Sequence, residues 1–229
     1  MQERNHKELH EEPSGYVQVK ICGITRLTDA LTVEQLGASA VGFVFFPGSP
    51  RYITFERAGA ISRMLGPFIA RVGVFVDSNR DRVAEAVEVA GLTAVQLHGS
   101  ESPEYVDDIK RLGVWCIKSF RVGPGFECGR LADYDLNTFL LDTLVGGACY
   151  GGTGKTFDWT TALECRCYGR IILAGGLNSA NVGDAIRTVR PWAVDVSSGV
   201  ELHPGVKDPG ALKAFFTAVH DGRSDDCGA

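Results

Sequence analysis

The chain has 229 residues, 45% of them hydrophobic, and its 23 basic and 28 acidic residues give a formal net charge of −5. That balance excludes nucleic acid as a general partner, because gripping a phosphate backbone needs a positive surface, but it leaves room for a local pocket that holds one small anion. The length suits one large domain, and no apolar run approaches the roughly 20 residues of a membrane-spanning helix.

Residues 1–15, MQERNHKELHEEPSG, are polar and hold no apolar segment of the kind that directs secretion. They are expected to form a disordered or loosely attached arm of a cytoplasmic protein. From residue 17 onward, short apolar runs alternate with amphipathic stretches of helical spacing. The first strand is expected over 17–22 (VQVKIC), then a helix over about 28–36. Strands over 40–45, 69–76 and 93–98 are each followed by a helix, over about 55–65, 79–90 and 102–112. The fifth strand, 114–120, leads into a short, weakly helical stretch at 126–134. Strands over 137–142, 170–175 and 193–198 precede helices over about 158–165, 179–189 and 208–219, and residues 221–229 read as a flexible tail. Thr28, Thr54, Ser78, Ser102, Asp158 and Asp208 are the expected N-caps. Continuous apolar strands alternating with helices imply a parallel sheet covered by helices. Eight such units predict a single-domain (β/α)₈ TIM barrel over residues 16–220.

The seven cysteines, Cys22, Cys116, Cys128, Cys149, Cys165, Cys167 and Cys227, are odd in number and scattered. They are expected to be free thiols in a reducing compartment. Cys165 and Cys167 lack a second Cys/His pair at finger-like spacing, so no metal is expected.

In a barrel of this kind chemistry sits at the C-terminal ends of the strands. The first strand ends Lys20-Ile21-Cys22-Gly23. Alternation puts Lys20 and Cys22 on the inner face, where the cation would favour a thiolate at the mouth; the bland alternative is a buried structural thiol. The fourth strand ends in His98, which shares a face with Gln96, and a lone histidine is more often a satisfied polar residue than a catalyst. The sixth ends in Asp142 after Leu140 and Leu141, where a carboxylate is costly unless paired, protonated or wet. The glycine-rich loop 151–156, GGTGKT, misses the P-loop pattern because Cys149 stands where a glycine is required. Gly175-Gly176 and Ser198-Gly199 follow the seventh and eighth strands, where such barrels hold phosphate on backbone N–H groups.

Taken in order, KICGIT (20–25), GFVFFPGSPRYI (42–53), RVGVFVD (71–77), VQLHG (95–99), GGTGKTFDW (151–159), GGLNSANV (175–182), VDVSSGVE (194–201) and PGVKD (204–208) resemble the motifs of the phosphoribosylanthranilate isomerases of tryptophan biosynthesis. The resemblance implies an Amadori rearrangement of N-(5′-phosphoribosyl)anthranilate to 1-(2-carboxyphenylamino)-1-deoxyribulose 5-phosphate, without cofactor or metal. It implies Cys22 as general base and Asp142 as general acid, with Arg51 facing the anthranilate carboxylate. Lys20 and His98 are taken as further substrate contacts. Phosphate binding falls to Gly154, Gly175, Gly176, Ser198 and Gly199. Ala174 departs from the Ser that often opens the Gly-Gly motif, which removes one hydroxyl donor. The expected partner is a phosphosugar substrate, with neither nucleic acid nor membrane, and the expected state is a monomer or homodimer. Three rivals stand beside this reading. The first is the histidine-pathway isomerase or a dual-specificity enzyme, which is expected to carry an aspartate where Cys22 stands. The others are a lyase or epimerase using the same phosphate cup, and a non-catalytic phosphosugar-binding barrel.

Overall fold

The computed structural model describes residues 16–143 and 159–224. Eight parallel strands close into a barrel in sequence order. They are β1 (Gln18–Cys22), β2 (Ala40–Val44), β3 (Ala70–Phe75), β4 (Ala94–Leu97), β5 (Trp115–Val122), β6 (Thr138–Thr143), β7 (Arg170–Leu173) and β8 (Ala193–Val196). The helices are α1 (Leu27–Gln35), α2 (Phe55–Ser62), α3 (Arg80–Ala90), α4 (Pro103–Lys110), α5 (Trp159–Cys165), α6 (Val182–Val189) and α7 (Pro209–Ser224). A 3₁₀ segment, Cys128–Asp133, stands in the weakly helical stretch after β5. A small antiparallel hairpin that the sequence did not announce, β9 (Glu201–His203) and β10 (Val206–Lys207), precedes α7.

Thr54 and Ser102 cap α2 and α4 as expected, each accepting from a backbone N–H three residues on. The Asp208 carboxylate accepts from the N–H groups of Gly210 and Ala211 at the start of α7, which runs on to Ser224. Two caps differ. Asn79, not Ser78, caps α3, and α1 begins at Leu27, so Thr28 lies inside it. Asp158 and residues 1–15 and 225–229 lie outside the described residues.

Strand alternation sorts the apolar residues into two layers. Val19, Ile21, Phe43, Val95, Phe139 and Val194 face outward and pack under the helices in the main core. Val72, Ala94, Ile117, Leu140, Ile172 and Ala193 fill the barrel interior, joined by Ala40 and Ala70. The small alanines leave a cavity of about 360 Å³ at the N-terminal end of the barrel. Toward the C-terminal end the inward positions turn polar, and that change of character defines the site.

The expectation of free thiols needs correction. Cys128 and Cys165 form a disulfide that joins the 3₁₀ segment to the end of α5, their Cα atoms 5.1 Å apart. Sequence separation hid the pair, because it depends on how the 3₁₀ segment packs against α5. Cys22, Cys116 and Cys167 are free thiols, while Cys149 and Cys227 lie outside the described residues. Among the described residues no helix is long and apolar enough to cross a membrane.

Candidate active site

The site begins with strand register. Lys20 of β1 lies opposite Asp195 of β8. Their buried side chains form an ion pair at 2.9 Å. One step toward the mouth, Cys22 lies opposite Gly42 of β2. A Cβ on Gly42 would stand 2.9 Å from the Cys22 Sγ and 3.2 Å from the Lys20 Nζ, so only glycine leaves room for both side chains.

Burial, the largest influence, disfavours the Lys20 ammonium, but Asp195 and Cys22 together more than offset it and hold the pKa above the ordinary 10.5. Burial also pushes the Cys22 thiol above its ordinary 9.0; Lys20 pulls it down, Asp195 adds to the rise, and Lys207 pulls down again without reversing it. The expected thiolate-favouring effect of Lys20 is therefore present but overcome, because desolvation is larger and Asp195 neutralises the cation. Lys20 is also absent from the lining of the C-terminal cavity. Its place is beneath Cys22, paired with Asp195.

Across the barrel, His98 follows β4. Its Nε2 lies 3.4 Å from Asp142 Oδ2 on β6, and its Nδ1 lies 3.0 Å from the Gln96 amide nitrogen. If that amide donates to Nδ1, the Nε2 proton is left to face Asp142. The loop carrying His98 is pinned from outside the barrel. Lys118 of β5 pairs with the buried Glu101 at 2.9 Å and donates to the Gly99 carbonyl, and Glu101 accepts from the N–H groups of Asp77 and Gly99.

Arg51 lies in the loop after β2, largely buried. Its Nε donates to both oxygens of Glu201, at 3.0 and 3.1 Å, and its Nη2 donates to Oε2 at 2.7 Å. Gly175 and Gly176, after β7, hold left-handed backbone at φ +88° and +67° that a side-chain-bearing residue would strain to adopt. Ser198 opens a 3₁₀ turn, Ser198–Val200, directly after β8. Gly199, in the same turn, packs so closely on the Leu177 carbonyl that a Cβ would collide with it. Its glycine is thus required at least for packing.

Cys22, Arg51, His98, Asp142, Gly175, Gly176 and Ser198 line one cavity at the C-terminal mouth. Gly199 sits behind this lining, and Gly154 lies outside the described residues. Sequence reasoning missed Asp195, Gln96, Glu201 and Lys207. Asp195 had a usable signal, a carboxylate on the inner face of a strand between Ala193 and Ser197. Glu201 and Lys207 stand inside the family-like motifs VDVSSGVE and PGVKD, but nothing there assigned them a place, since the hairpin that brings them back over the mouth was not foreseen. Among the described residues no group of three or more His, Cys, Asp or Glu side chains is placed to hold a metal ion.

A thiol, a carboxylate, an arginine and two left-handed glycines around one cavity at the C-terminal mouth of a (β/α)₈ barrel fit the class of sugar-phosphate isomerases. The family model for N-(5′-phosphoribosyl)anthranilate isomerase matches residues 19–218. The isomerase of Citrifermentans bemidjiense is 50% identical over 199 residues, 87% of this chain and 95% of that protein. The crystal structure of the Thermotoga maritima enzyme superposes with a TM-score of 0.83 at 46% identity, covering 89% of this chain and 98% of that one. A structure of the isomerase in complex with reduced 1-(o-carboxyphenylamino)-1-deoxyribulose 5-phosphate gives 0.80 at 43% identity, with the same coverage. The chain belongs to the N-(5′-phosphoribosyl)anthranilate isomerase family, and it is an isomerase of tryptophan biosynthesis.

Proposed function

We propose that Cys22 is the general base and Asp142 the general acid of the Amadori rearrangement of N-(5′-phosphoribosyl)anthranilate. The observation that carries this reading is that both side chains line one cavity, Cys22 over the Lys20–Asp195 pair and Asp142 beside His98. Asp142 donates its proton to the ring oxygen as the amino nitrogen's lone pair opens the ring to a protonated Schiff base. The Cys22 thiolate then removes the C2′ proton, giving an enolamine. Loss of the C2′ hydroxyl proton and protonation at C1′ complete the ketose. No atoms are lost and no oxidant is needed, and the two groups must begin in opposite protonation states.

Arg51 receives the anthranilate carboxylate, for which a planar guanidinium supplies paired donors. Gly175, Gly176 and Ser198 hold the phosphate, with Gly199 setting the turn, and Gly154 is a further phosphate contact. The small-molecule substrate is the one partner the chemistry requires, and the chain acts in the cytoplasm as a monomer or homodimer. Arg51→Ala tests the substrate placement. The carboxylate contact is shared by ground and transition states, so KM should rise by about tenfold or more while kcat changes little. Unchanged KM would remove Arg51 from the binding site, and a loss confined to kcat would move it into the chemical step.

A further inference from the structure

The Arg51 guanidinium does not enter the cavity alone. Its Nε edge is occupied by Glu201, through three hydrogen bonds of 2.7–3.1 Å. Glu201 is held in turn by Lys207, whose Nζ lies 2.8 Å from Oε1, and its carboxylate is only 3% exposed. Lys207 spends its other two protons on the carbonyl oxygens of Cys22, at 2.6 Å, and Ser197, at 3.2 Å. One buried carboxylate thus stands between two buried cations, so the cluster keeps a net positive charge beside the cavity. A guanidinium has five N–H groups in one plane. With the Nε edge taken, the donors left to Arg51 are those at its Nη1–Nη2 end, and Arg51 lines the cavity.

We propose that Glu201 is a specificity-determining positioning residue. It holds the side edge of Arg51 so that the guanidinium meets the substrate carboxylate end-on, while Lys207 restores the charge that Glu201 would otherwise cancel. The inference rests on the assignment of Arg51 to the anthranilate carboxylate. Holding one edge of the fork fixes the distance and plane of the other, and a carboxylate in the right plane gains two parallel bonds rather than one. Without the anchor, Arg51 would regain side-chain freedom that binding must then remove. Lys207 also ties this recognition to the chemistry, since the same ammonium fixes the backbone of Cys22 and of Ser197, next to the phosphate turn.

The test compares two probes, the reduced product analogue with its ring carboxylate and the same compound without it. Both are titrated against the wild type and against Glu201→Asp, which keeps the charge but withdraws it by one methylene. We expect Glu201→Asp to weaken the carboxylated probe about tenfold, the size of one charge-assisted hydrogen bond, and the decarboxylated probe by less than about twofold. In an Arg51→Ala background the same substitution should no longer change the preference between the probes. Equal losses for both probes, or no loss for either, would overturn the proposal. A wild type that shows no preference for the carboxylated probe would instead remove the Arg51 assignment beneath it. Should Glu201→Asp fold poorly, the ¹⁵N resonance of Arg51 Nε in the wild type decides. It should keep its Glu201-bonded position when the carboxylated probe binds, and displacement of Glu201 from that edge would contradict end-on presentation.

Discussion

Lys20 and Asp195 show how a single pairing supports a reactive group it does not replace. The pair is buried in the barrel beneath Cys22. Removing one member of a buried pair leaves an uncompensated charge, which typically costs about 3–5 kcal/mol. Asp195→Asn should therefore lower stability at neutral pH by that order, measured by chemical denaturation. The pH dependence gives the sign. In the wild type the folded pKa of Lys20 is raised, so its stabilising contribution is complete below the ordinary 10.5 and is lost as pH climbs through the raised value. In Asp195→Asn burial, the largest influence on Lys20, is opposed by Cys22 alone, so the folded pKa falls and the stability deficit should shrink as pH rises toward 10.5. A deficit that is absent, or that does not change with pH, would mean that the pair contributes nothing to the fold.

The disulfide is a feature of two elements brought together, the 3₁₀ segment Cys128–Asp133 and α5. Closing a loop of 37 residues is worth about 4 kcal/mol by chain-entropy reasoning, if the unfolded chain is otherwise unconstrained. Cys128→Ser, or reduction of the wild type, should lower the melting temperature while leaving kcat at 25 °C within about twofold, since neither cysteine lines the active-site cavity. Differential alkylation before and after reduction reads the bond directly, and full labelling of Cys128 and Cys165 in the unreduced protein would contradict it. At this scale the barrel strands were well legible in the sequence, because each is a short, mostly apolar run bounded by turn residues, and every barrel strand overlaps its expected range. Helix starts were less legible. Asn79 and Ser78 are adjacent residues of equal capping ability, and only the path of the chain chooses between them. The hairpin β9–β10 escaped altogether, since segments of three and two residues leave no periodicity to detect. With it were lost Glu201 and Lys207, the residues that hold Arg51 and the Cys22 backbone.

For the whole molecule, closure of the barrel makes distant parts of the chain neighbours. β1 pairs with β8 across most of the sequence, which places Lys20 beside Asp195, and the hairpin that follows β8 brings Lys207 to the Cys22 carbonyl. Placement of Cys22 and Asp142 at strand ends followed from alternation and could be read in advance. The balance of charge around Cys22 could not, because it depends on burial and on partners drawn from β8 and the hairpin. The central claim is that Cys22 and Asp142 carry the two proton transfers, and kinetics of Cys22→Ser and Asp142→Asn, with melting curves alongside, test it most directly. Loss of fluorescence of freshly prepared phosphoribosylanthranilate should slow by about 10²–10⁴-fold in each variant while both remain folded. Because Cys22 must have lost its proton while Asp142 keeps its own, wild-type kcat/KM should be bell-shaped in pH, and Cys22→Ser should remove the limb that the thiol sets. A folded Cys22→Ser enzyme with near wild-type kcat and an unchanged pH profile would contradict the assignment of the base.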